Sequence, residues 1–73
     1  MIYKVFVKEP GNGHFIYEDG VLQTSRNKAW MEEFFESWAD CLMHPVELQE
    51  IDEYSGAVNV IKTSDPFFIS PNI

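Results

Sequence analysis

A chain of 73 residues has room for one domain, and a hydrophobic content of 45% with eleven aromatics excludes intrinsic disorder, which needs low hydrophobicity and high charge. Twelve acidic residues against five basic ones give a formal net charge of −7, which disfavours direct binding to nucleic-acid phosphates or an anionic membrane. The single cysteine, Cys41, can form no intramolecular disulfide, so the fold has no covalent staple and a cytoplasmic setting is expected.

The opening MIYKVFVKEP alternates and lacks the apolar core of a signal peptide. No apolar run approaches the roughly 20 residues of a membrane-spanning helix, so a soluble protein is expected. Residues 2–8 place Tyr3, Val5 and Val7 on one face of a strand and Ile2, Lys4, Phe6 and Lys8 on the other. Lys4 and Lys8 are expected to blunt a sheet edge. Pro10, Gly11, Asn12 and Gly13 then close a hairpin onto a second strand, residues 14–18. Asp19-Gly20 favours a two-residue type I′ turn into residues 21–23, a short third strand that completes a meander or an extended lead-in to the helix.

Residues 26–43, RNKAWMEEFFESWADCLM, carry the one long helical pattern, with Thr24 or Ser25 as N-cap. Pro45 ends the helix near Met43. Residues 46–54 predict a strand with a bulge, joined through a tight turn at Ser55-Gly56 to a strand over residues 57–63. That turn pairs Ile51 with Val60 and Tyr54 with Ala57. The expected architecture is α+β: one antiparallel sheet of four to five strands with a single amphipathic helix on one face, in the order β-β-(β)-α-β-β. The compact domain spans residues 1–65, and residues 66–73 form an apolar, Pro-flanked tail in which Phe67, Phe68 and Ile69 either close the core or meet a partner.

At 100° per residue, Trp30, Met31, Phe34, Phe35, Trp38, Cys41 and Leu42 share one arc of the helix, with Ala39 at its margin, and this arc is the expected core. Glu32, Glu33, Glu36, Ser37 and Asp40 occupy the opposite arc, where like charges at i, i+3 and i, i+4 repel. Glu47, Glu50, Asp52 and Glu53 extend the acidic run, so eight of the twelve acids fall between residues 32 and 53. Such a stripe either solvates a small aromatic-rich protein or steers it onto a basic surface.

No catalytic, cofactor or metal site is expected. Cys41-x-x-His44 beside Asp40 offers too few ligands for a closed zinc site, since His14 is the only other histidine. Cys41, projecting into the apolar arc, is expected to be an inert buried thiol. Paired carboxylates lack the scaffold for a water-excluding cleft. In size, acidity and economy, the chain is similar to small phage-encoded inhibitors of host defence or nucleic-acid enzymes, including anti-CRISPR proteins. That likeness implies a viral nucleic-acid mimic acting in the host cytoplasm. The expected function is therefore a non-enzymatic protein-binding inhibitor that uses Glu32, Glu33, Glu36, Asp40, Glu47, Glu50, Asp52 and Glu53 to occupy a basic, nucleic-acid-binding surface of a larger protein. The alternative is a structural or homo-oligomeric small subunit, a homodimer for instance, joined through the tail or a sheet edge.

Overall fold

The computed structural model of the chain describes residues 1–41 and 44–64. Strands β1 (Ile2–Val7), β2 (His14–Phe15), β3 (Tyr17–Glu18), β4 (Val21–Leu22) and β5 (Thr24–Ser25) precede helix α1 (Lys28–Cys41), and β6 (Val46–Ile51) and β7 (Val58–Thr63) follow it. The main sheet is antiparallel and five-stranded, in the order β2-β1-β6-β7 with β5 also paired to β1, while β3 and β4 form a separate two-stranded hairpin. The α+β class and the single helix on one sheet agree with the expectation. The expected helix end near Met43 and the tail carrying Phe67, Phe68 and Ile69 lie outside the described residues.

The alternation of β1 works as its sequence implies. Tyr3, Val5 and Val7 are buried beneath the helix, and in register with them on β6 stand Glu50, Leu48 and Val46. Met31 and Phe35 of α1, together with Ile16, complete a core that contains no buried polar residue among those described. The open face of the sheet carries Ile2, Lys4, Phe6 and Phe15, with Phe6 and Phe15 edge to face at 5.2 Å. Gly13 permits this packing, because any Cβ there would collide with the Phe6 ring.

The meander is corrected. Ile16 donates its N–H to the Val5 carbonyl (3.2 Å), and Gln23 donates back to the Ile16 carbonyl (3.0 Å), so the chain leaves the sheet after Ile16 and rejoins it at Thr24. β2 pairs Phe15 with Phe6 and β5 pairs Thr24 with Lys4, so the two strands are one edge strand interrupted by a seven-residue hairpin, residues 17–23. The turn at its tip is the expected one, with Asp19 at φ 52° and Gly20 at φ 78°, the left-handed pair that a type I′ turn needs. β1 is consequently an inner strand, flanked by β6 on one side and by β2 and β5 on the other. Lys4 therefore blunts no edge; its ammonium lies over the Phe15 ring, 5.2 Å from the centroid.

Three local expectations also change. The N-cap is Asn27, whose Oδ1 accepts from Trp30 N–H at 3.0 Å, while Thr24 and Ser25 belong to β5. The bulge falls on β7 rather than β6: Leu48 pairs with Lys62 and Gln49 with Val60, leaving Ile61 as the extra residue, packed against the core. The β6–β7 connection is wider than a two-residue turn, so Ile51 faces Val58 and Tyr54 is fully exposed. Asp52 organises it by accepting N–H bonds from Tyr54 (2.8 Å) and Ser55 (3.3 Å).

Those bonds hold the Asp52 carboxyl below its ordinary 3.8, as the hydrogen bond from Arg26 holds Glu53 below 4.5. A depressed folded-state pKa contributes stability that is complete above the ordinary value and disappears as pH falls through the folded one. The melting temperature is therefore expected to fall on acidification below 4.5 and on through 3.8. Asp52→Ala should melt lower than the parent at neutral pH and lose less on acidification, as read by circular dichroism melts across pH.

Candidate protein-binding surface

Two faces of α1 remain outside the core, and their side chains have different fates. Core burial centres on Met31 and Phe35, not on Phe34, so the aromatic arc is turned toward the β5 side. Trp30, expected inside, is 46% exposed. Trp30, Phe34 and Trp38, spaced four apart, form a ladder on the flank of the helix. The first two rings stack at 5.4 Å and 10°, and Phe34 meets Trp38 edge to face at 6.2 Å. Facing this ladder stands the β3–β4 hairpin. Between them runs a groove of about 460 Å³ lined by Glu18, Gln23, Trp30, Phe34, Ser37 and Trp38.

The opposite flank meets β7. Lys62 reaches up from the sheet to Glu36 at 3.1 Å and Glu32 at 3.5 Å, so half of the helical acidic stripe has a cation that helix periodicity could not reveal. The hydrogen bond to Glu36 raises the Lys62 pKa and keeps it charged. Glu33 and Asp40 lie on the crest of α1, exposed and without an ion-pair partner among the described residues.

The acids after the helix do not prolong this crest. Glu50 accepts from the Tyr3 hydroxyl at 2.9 Å, an interaction that raises the tyrosine's pKa. Glu47 lies on the opposite face of the sheet, where it accepts from Gln49 at 2.8 Å. Asp52 holds its turn, and Glu53 forms a two-point ion pair with Arg26. Of the eight acids singled out, six therefore have an intramolecular partner. The exposed acids that complement Glu33 and Asp40 are Glu18 and Asp19 on the hairpin, a placement set by the seven-residue excursion and invisible to a stripe drawn along the helix.

A second hollow of about 250 Å³ lies beyond Trp38, lined in part by His14, His44 and Glu9. His14 Nδ1 is 3.7 Å from Glu9 Oε1. No group of three or more metal-ligating side chains occurs among the described residues, and none of their helices is long and apolar enough to cross a membrane.

The arrangement defines a small α+β protein with an aromatic groove beside an acidic helix crest. Compared with protein-family models, curated proteins and solved structures, the chain matches none.

Proposed function

We propose that the chain is a non-enzymatic binding module whose negative surface docks on a basic, nucleic-acid-binding surface of a larger protein and so blocks it, in the manner of phage-encoded anti-defence proteins. The observation that carries this reading is the pair Glu33 and Asp40 on the crest of α1, without an ion-pair partner among the described residues, with Glu18 and Asp19 exposed on the neighbouring hairpin. Arg26, Lys4 and Lys62 are engaged elsewhere, on Glu53, on the Phe15 ring and on Glu32 and Glu36. A basic partner would be drawn in by this field and held with a strong salt dependence.

Reversing the crest with Glu33→Lys and Asp40→Lys tests it, because neither side chain is buried and the fold should survive. The immobilised parent should retain basic proteins from extract at low salt and release them to added nucleic acid, whereas the doubly reversed chain should retain at least about tenfold less. Equal retention by the two, at equal melting temperature, refutes the reading.

One observation favours a second reading, self-association through the sheet. Val58 and Val60 on the outer strand β7 are 52% and 46% exposed on the open face, beside Ile51. Light scattering of the isolated chain separates the two: a dimer that persists on dilution supports self-association, and a monomer removes it.

A further inference from the structure

The groove between the aromatic ladder and the hairpin has a chemistry that narrows the partner. Its floor is three aromatic rings at one-turn spacing, two of them stacked and the third edge-on. Its far wall carries the Glu18 carboxylate, and Asp19 stands next to it at the turn. An apolar plug would leave these carboxylates without partners at its rim. An anion or a nucleic-acid backbone would meet a chain of net charge −7. A cation with a flat, weakly hydrated face satisfies both surfaces at once, because it packs against the aromatic side chains while donating to a carboxylate at the edge. Guanidinium has that form, and the compact, strongly hydrated ammonium of lysine does not.

We infer that this groove binds an arginine side chain presented by an exposed segment of the partner protein, seated on Trp30, Phe34 and Trp38 and paired with Glu18. The inference rests on the protein-binding reading above and deepens it, from a diffuse basic surface to a specific side chain. The crest acids Glu33 and Asp40 supply attraction at a distance, and the groove supplies discrimination between the two basic residues.

The chain's two tryptophans both line the groove, so intrinsic fluorescence reports occupancy directly. Three short peptides of identical sequence, carrying arginine, lysine or citrulline at the basic positions, serve as probes. The arginine peptide should shift and quench the indole emission and bind about tenfold more tightly than the lysine peptide, and the citrulline peptide, which keeps the shape without the charge, should not bind. Glu18→Gln should weaken the arginine peptide about fivefold and leave the lysine peptide little changed. Trp30→Ala, at a half-exposed position, should remove most of the preference for arginine. Equal affinity for arginine and lysine peptides with unchanged emission overturns the inference and leaves only diffuse electrostatics. Equal affinity for the citrulline peptide overturns it in favour of a neutral apolar ligand. The two readings fail separately: loss of retention on crest reversal without arginine selectivity leaves the binding-module reading intact and removes this one, whereas arginine selectivity with retention insensitive to crest reversal keeps the groove as an arginine site and refutes docking through the acidic crest.

Discussion

Met31→Ala is expected to destabilise the protein by about 2–5 kcal/mol, enough to bring a domain of this size close to unfolding at room temperature. Met31 is fully buried at the centre of the helix–sheet contact, among Val5, Val46 and Leu48, which are equally buried. Removing its γ-methylene, sulfur and terminal methyl leaves a cavity whose walls are fixed from one side by two registered strands, and these cannot collapse without breaking the β1–β6 ladder. Trp30→Ala should cost less despite removing a larger side chain, because nearly half of that indole is already in water and its chief loss is the stack on Phe34, worth about 0.5–1.5 kcal/mol. Urea unfolding of both variants, with unchanged slope, checks the order. A greater loss at Trp30 would mean that the helix seats on its Phe34 side.

That contrast indicates what the sequence could and could not convey. Period two in IYKVFV identified which face of β1 is buried, and Asp19-Gly20 identified its turn, since both signals are local. The helical arc was legible as a range of directions only. Seven apolar residues spread over about 140° fit the sheet at several rotations, and β6 and β7 select one. Leu48 packs beneath Met31 and Phe35, while Lys62, brought to the helix side by the bulge at Ile61, draws Glu32 and Glu36 toward β7. The same rotation lifts Trp30 out of the core. Pairing across 26 residues, as between Lys62 and Glu36, leaves no trace in a window of helical length. The acidic residues after the helix were legible as a cluster in sequence but not in space, because alternation along β6 sends Glu47 and Glu50 to opposite faces of the sheet. For the N-cap, Asn27 was available to the same reasoning that named Thr24 and Ser25. What assigned those two elsewhere was the return of the chain to β1, a long-range pairing.

Excising residues 17–23 should leave the fold standing while abolishing arginine-selective binding. Ile16 lies opposite Val5 and Thr24 pairs with Lys4, so joining Ile16 to Thr24 continues the edge strand in register and in face: Phe15 and Thr24 on the open side, Ile16 and Ser25 on the helix side. None of the seven residues removed is buried, and a two-stranded hairpin of this length has little stability of its own. The expected change in unfolding free energy is within about 2 kcal/mol, the lost cover over the Trp38 end of the groove being partly offset by the shorter connection. Deletion removes Glu18 and the far wall of the groove, so the tryptophan emission should shift to longer wavelength and the arginine peptide should bind at least about tenfold more weakly. Attraction of basic proteins to Glu33 and Asp40 should persist, because the helix crest is untouched. Cooperative melting with native circular dichroism establishes the first half, and peptide titration establishes the second. A deletion variant that melts normally and still prefers arginine would place the selectivity elsewhere on the molecule, and one that fails to fold would make the hairpin a structural support of the sheet edge rather than a binding element mounted on it.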